Sequence, residues 1–142
     1  MDEMERYLDE GCRIRKKIDT SKISEIAESI IKTIENGNKL IVFGNGGSAA
    51  DSQHFVAEMT GHFARERRAL PAIALTTNTS SLTAIANDYS YDYVFSRQIE
   101  ALSVKGDYVV GISTSGNSKN VIEAIKKAKQ IGCMTAALTG RS

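Results

Sequence analysis

At 142 residues, 42% hydrophobic and 25% charged, the chain has the composition of an ordinary globular domain, which excludes disorder, a collagen repeat and a disulfide scaffold. The length suits one domain with a real core. With 18 Lys and Arg against 17 Asp and Glu, the formal net charge is +1, so no broad basic field marks a nucleic-acid or anionic-membrane partner and any bound anion must be held locally.

The first stretch, Met1 to Lys17, is charged throughout and lacks the apolar region of a secretory leader. No window approaches the roughly 20 apolar residues of a membrane span. Cys12 and Cys133 are far apart, with no Cys-x-x-Cys spacing and no His beside them, so they fit neither a zinc knuckle nor a redox pair. A reducing, cytoplasmic compartment is the expectation. Met4, Tyr7, Leu8, Ile14 and Ile18 form a weak apolar stripe interrupted by Gly11, the mark of a first amphipathic helix. Ile23, Ile26, Ala27, Ile30, Ile31 and Ile34 repeat at helical spacing and stop at Asn36-Gly37, giving a second, stronger one.

After Asn38 the period changes. Short apolar runs occur at Lys39–Phe43, Ala72–Leu75, Tyr108–Ile112 and Met134–Leu138, separated by helical stretches at about Ala49 to His62, Ser80 to Asn87, Tyr93 to Val104 and Ser118 to Ile131. Strands apolar on both faces require a parallel sheet covered on both sides. The expected fold is therefore α/β, a single domain over 1–142 with N-terminal helices in 1–36 and a doubly wound core in 37–142.

Ligands of such sheets bind at the carboxyl ends of the strands. Two loops there are distinctive. Gly44-Asn45-Gly46-Gly47-Ser48-Ala49 matches the relaxed dinucleotide pattern G-x-G-x-x-A, yet the second strand runs into Thr76-Thr77-Asn78-Thr79-Ser80-Ser81 without the carboxylate a ribose would need. Glu66, at about the right distance, lies before Pro71 in a charged loop, and no Gly-Lys-Ser/Thr follows for a nucleotide phosphate loop. Ser113-Thr114-Ser115-Gly116-Asn117-Ser118 offers hydroxyls and a glycine at a helix start, which suits a single phosphate; the same residues also read as an ordinary helix cap with spare polar groups. His54 and Glu58, four apart, share one helix face, where they can hold a metal, supply a general base, or simply pair in solvent. Asn87-Asp88 closes the next helix and could reach the same rim for sugar hydroxyls, or serve only as a helix stop.

Taken together, Phe43-Gly44-Asn45-Gly46-Gly47-Ser48, Gln53-His54-Phe55-Val56-Ala57-Glu58, Leu70-Pro71-Ala72-Ile73-Ala74-Leu75, Ala86-Asn87-Asp88 and Gly111-Ile112-Ser113-Thr114-Ser115-Gly116-Asn117-Ser118 resemble the sugar isomerase (SIS) domain family in its phosphoheptose isomerase branch, in register from about Ile23 to Gly140. The resemblance implies a three-layer, flavodoxin-like α/β sandwich that assembles as a homotetramer partly through its N-terminal helices. It implies a cytoplasmic enzyme with one zinc ion per subunit. The reaction implied is aldose–ketose isomerisation of sedoheptulose 7-phosphate to glycero-manno-heptose 7-phosphate, the first step toward ADP- or GDP-heptose for lipopolysaccharide core or surface glycans. By position, Ser113, Thr114, Ser115 and Ser118 would hold the phosphate, and Asn45, Gly46, Gly47, Asn87 and Asp88 would line the sugar. His54 and Glu58 match the zinc ligands, and Glu58 also matches the catalytic base.

Two departures accompany the likeness. His62 stands where the family often has Arg, so a basic contact would come from Arg65, Arg67 or Arg68. Family members also continue past Leu138-Thr139-Gly140 into a last strand and a C-terminal helix carrying a Gln and a His, which complete the metal site and supply the second acid/base. The 142 residues stop at Ser142, so the expectation is a folded chain impaired in turnover on its own. The alternative reading is a non-catalytic SIS protein that binds a sugar phosphate or the replication initiator DnaA; a carboxylate at position 58 favours the enzyme.

Overall fold

The computed structural model describes residues 2–140. Two helices, α1 (Glu3–Arg15) and α2 (Thr20–Glu35), precede β1 (Leu40–Gly44), α3 (Gly47–Thr60), β2 (Ala72–Ala74), α4 (Thr79–Asp88), a 3-10 turn at Tyr91–Tyr93, α5 (Ser96–Leu102), β3 (Tyr108–Ser113), α6 (Lys119–Ile131) and β4 (Met134–Thr139). The four expected strands form one parallel sheet in the order β2-β1-β3-β4. The helix expected over Tyr93 to Val104 divides: Ser90 accepts the Asp92 N–H and starts a tight turn, and α5 begins three residues after that turn's end, at Ser96.

Side chains of β1 and β3 alternate between two apolar layers, the three-layer sandwich that runs apolar on both faces call for. Ile41, Phe43 and Val109 face Val94, Phe95, Ile99, Val121, Ala124 and Ala128, with the Phe43 and Phe95 rings stacked at 5.1 Å. Leu40, Val42, Tyr108 and Val110 face Ile30 and Ile34 of α2 and Phe55, Val56 and Met59 of α3. A Cβ at Gly111 would lie 2.8 Å from Val121 Cγ1, so the missing side chain lets α6 lie directly on β3.

The N-terminal helices use their stripes differently. In α2, Ile30 and Ile34 are buried on the sheet while Ile23 and Ile31 point away and stay exposed. In α1, Asp2 and Glu5 form a reciprocal capping box, yet no residue of the helix is buried. Met4, Tyr7 and Leu8 are 75%, 77% and 67% exposed, so the stripe exists and is left largely uncovered by the described residues.

At the amino ends of β1 and β3 lies the one charged side chain fully buried among the described residues. Asp107 is fully buried and accepts from Lys39 Nζ at 2.6 Å, Val104 N–H at 2.8 Å, Lys39 N–H at 3.1 Å and Asn38 Nδ2 at 3.2 Å. Burial pushes its pKa up, but the four donors together outweigh burial and hold it below the ordinary carboxylate value. Because the folded value lies below the unfolded one, the stabilisation is fully present above about pH 4 and is lost as pH falls through the folded value. Asp107→Asn should cost about 3 kcal/mol in urea unfolding at pH 7, with the gap to wild type closing in acid. A loss that stays constant from pH 7 to pH 3 would contradict the assignment.

Candidate active site

From β1 the chain crosses to β2 on one side and returns to β3 on the other, so the carboxyl ends of β1 and β3 open side by side at a topological switch point. Both distinctive loops emerge there. A Cβ at Gly44 would meet Ser48 Cβ at 2.7 Å and the Ile112 carbonyl at 2.8 Å, so β1 turns into α3 more tightly than any side chain permits. Gly46 has φ +54 and Gly116 has φ +70, left-handed backbone that favours glycine in each loop.

The helices on these loops start without a side-chain cap, as α5 does at Phe95. Asp2, Asp19 and Asn78 cap α1, α2 and α4 with their side chains. Gly46 and Ser118, at the corresponding positions of α3 and α6, make no side-chain cap. Ser118 could cap and does not: its hydroxyl accepts from Ser113 Oγ at 2.9 Å. Ser118 thus sits at the cap position without a side-chain cap bond, and in α3 the Ala49 N–H is taken by the carbonyls of Gly46 and Asn45. Ser113 is buried, Ser118 half-buried, and Thr114 and Ser115 exposed, with Ser115 Oγ accepting the Asn117 N–H at 3.2 Å.

A pair of side-chain amides joins the loops. Asn45 Nδ2 donates to Asn120 Oδ1 at 2.9 Å, and Asn120 Nδ2 donates to Asn45 Oδ1 at 2.9 Å. The Tyr91 hydroxyl donates to the same Asn45 Oδ1 at 3.3 Å. Beside it, Lys119 pairs with Asp92 at 2.6 Å, and the hydrogen bond and charge of Asp92 raise the ammonium's pKa. Sequence reasoning missed Asn120, Tyr91 and this ion pair. A signal for Asn120 existed: it shares the buried face of α6 with Ala124 and Ala128 at i, i+4 and i+8, and a polar residue there must find a partner.

Helix α3 carries the acid–base candidates away from the glycine loop. His54 Nε2 and Glu58 Oε1 are 3.0 Å apart, with Glu58 half-buried and His54 exposed. Gln53 Nε2 donates to Thr76 Oγ1 at 3.1 Å and ties α3 to the loop after β2. Arg67, expected as a basic contact to a ligand, is committed elsewhere: its guanidinium donates to the carbonyls of Glu58 at 2.7 Å, Met59 at 3.0 Å, Gly61 at 3.1 Å and Arg68 at 3.0 Å, closing the carboxyl end of α3. Only His62, Arg65 and Arg68 remain exposed in that loop for such a role. Asn87 donates to Asp88 at 3.0 Å at the exposed end of α4, and no hydrogen bond among the described residues ties either to the two loops.

An imidazole nitrogen and a carboxylate oxygen within 3.0 Å are the right donor types for zinc. A catalytic zinc takes three protein ligands, and among the described residues no group of three His, Cys, Asp or Glu could hold a metal ion. His54 and Glu58 therefore fit as part of a metal site that needs a further ligand. A cavity of about 510 Å³ between β2, α4 and α5, lined by Thr77, Asn78, Ser81 and Arg97 among others, contains none of the predicted site residues.

Residues 6–140 match the SIS domain family. A probable phosphoheptose isomerase of Thermoplasma acidophilum is 72% identical over 137 residues, covering 96% of this chain and 75% of that protein. The solved phosphoheptose isomerase of Neisseria gonorrhoeae superposes with a TM-score of 0.91 at 48% identity, over 98% of this chain and 74% of that one. The Francisella tularensis enzyme gives a TM-score of 0.94 at 34% identity, over 99% and 75%. The chain thus spans about three quarters of the length of these relatives.

Proposed function

The chain belongs to the SIS-domain family, among the phosphoheptose isomerases, and from that premise we propose that it isomerises sedoheptulose 7-phosphate to glycero-manno-heptose 7-phosphate, the opening step of ADP- or GDP-heptose synthesis. The observation that carries the reading is the joining of the β1 and β3 loops, through Asn45 and Asn120, beside the helix that bears Glu58.

In this reading the phosphate lies at the start of α6, where Thr114, Ser115 and Ser118 offer hydroxyl donors, Ser113 holds the Ser118 hydroxyl in place, and the helix dipole favours the anion. That grip is remote from the reacting carbons and supplies orientation. Gly46 and Gly47 let the backbone approach the sugar, and Asn45, Asn87 and Asp88 hold its hydroxyls. Moving the carbonyl from C2 to C1 requires loss of a C1 proton, an enediolate, and return of a proton at C2. Glu58 takes the C1 proton, and His54, hydrogen-bonded to Glu58 Oε1, fixes the carboxylate's orientation. Zinc, held by His54 and Glu58 with ligands from outside the described residues, would polarise the oxygens where charge develops.

A cytoplasmic homotetramer completes the proposal. The exposed apolar faces of α1 (Met4, Tyr7, Leu8) and α2 (Ile23, Ile31) support it, since an unpaired stripe of this kind is stable in water when a second copy covers it. Among the described residues no helix is long and apolar enough to cross a membrane.

Sedimentation should show a mass four times 15.4 kDa for the wild type and a smaller species for Leu8→Glu; a wild-type monomer would overturn the assembly. In D2O, with zinc supplied, the wild type should exchange deuterium into C1 of sedoheptulose 7-phosphate. Glu58→Gln should slow this by about 10² to 10⁴-fold while still binding the sugar phosphate. Equal exchange in both forms would remove Glu58 as the base. Binding without exchange in either would favour the non-catalytic alternative.

A further inference from the structure

The amide of Asn45 has two N–H donors and one oxygen. Asn120 takes one N–H and supplies one donor to the oxygen; Tyr91 supplies the oxygen's second donor. One polar position of Asn45 is thereby left uncommitted. The reciprocal amide pair alone does not fix which way Asn45 faces, because turning both amides over preserves both bonds. The Tyr91 hydroxyl, which can donate or accept, gives Asn45 a third contact and holds the plane of its amide. Tyr91 is itself held over the loop, since it lies in the 3-10 turn whose Asp92 pairs with Lys119 at the start of α6. Asn120 is 3% exposed, so its side chain is held in place by the surrounding packing.

We propose that Asn120 and Tyr91 are positioning residues that hold the Asn45 amide in one plane, with its one uncommitted polar position turned toward the sugar, and keep the glycine loop at a fixed distance from the phosphate loop. The inference rests on the reading that Asn45 lines a sugar-phosphate site. Neither residue needs to touch the substrate: each acts through Asn45. The effect therefore falls on recognition of the sugar, and the phosphate grip of Ser113, Thr114, Ser115 and Ser118 is left alone. It also makes the contributions interdependent, because both residues work through one amide.

Calorimetric titration of the full chain with sedoheptulose 7-phosphate and, separately, with inorganic phosphate tests this in the wild type, Tyr91→Phe, Asn120→Ala and Asn45→Ala. Tyr91→Phe should weaken sugar-phosphate binding several-fold and Asn120→Ala about tenfold, with inorganic phosphate binding within about twofold of wild type for both. In an Asn45→Ala background, neither change should weaken sugar-phosphate binding further. Tyr91→Phe alters an exposed side chain, so it carries the test if the buried Asn120→Ala fails to fold. Equal losses for both ligands, or additive losses on top of Asn45→Ala, would show only general loosening and overturn the inference. Wild-type binding of the sugar phosphate with unchanged affinity in Tyr91→Phe and Asn120→Ala would overturn the inference alone. A wild type that binds inorganic phosphate but not the sugar phosphate would overturn the parent reading and this inference with it.

Discussion

The parallel pairing of β1 with β3 is the constraint on which the site depends. These strands are separated by an entire crossover unit containing α3, β2, α4 and α5, yet they lie side by side with Leu40 opposite Tyr108 and Gly44 opposite Ile112. A one-residue slip would turn every apolar side chain to the wrong layer and move one loop past the other. The pairing is pinned at both ends. At the amino end, Asp107 gathers donors from the start of β1 and from the turn before β3. At the carboxyl end, Asn45 and Asn120 exchange amide hydrogen bonds across the two loops. The core between them is apolar and tightly packed, so the loops inherit its geometry.

A division of labour among helix ends follows. Helices α1, α2 and α4 satisfy first-turn N–H groups with their own Asp or Asn side chains, whereas α5 opens from Phe95 without a side-chain cap. The two that open onto the switch point leave theirs unfilled by side chains and spend glycine on close approach. In the proposed reading a chain of nearly zero net charge needs no basic surface for a phosphate, because partial charges at helix ends act over one turn. It also explains why Arg67 serves as a fastening of the α3 carboxyl end: the cation sits where carbonyls are exposed, and it steadies the turn from which Glu58 projects.

Local pattern made most of this legible in the sequence. Apolar runs fixed the strands, Asn-Gly and glycine stops bounded the helices, and the i, i+4 spacing put His54 and Glu58 on one face before any coordinates were needed. The hydroxyl-rich loop was legible as a set of donors suited to a phosphate-sized anion. What stayed hidden was non-local or depended on choice of partner. Asn45 and Asn120 are 75 positions apart, and nothing in either residue names the other. Arg67 looked like a ligand contact because its charge is visible in sequence while the four carbonyls that claim it are backbone. Ser118 does occupy the cap position of α6, but its side chain makes no cap bond there and accepts instead from Ser113. The stripe of α1 was read correctly as amphipathic, but periodicity says which face is apolar and not what covers it.

The central claim is that the β1 and β3 loops form one ligand site. It is tested most directly by following backbone amide resonances while sedoheptulose 7-phosphate is added. The account predicts that Gly46 and Gly47 shift together with Ser115, Gly116 and Asn120, all along one binding curve with a single Kd. Shifts confined to one loop, or two curves with different midpoints, would contradict it.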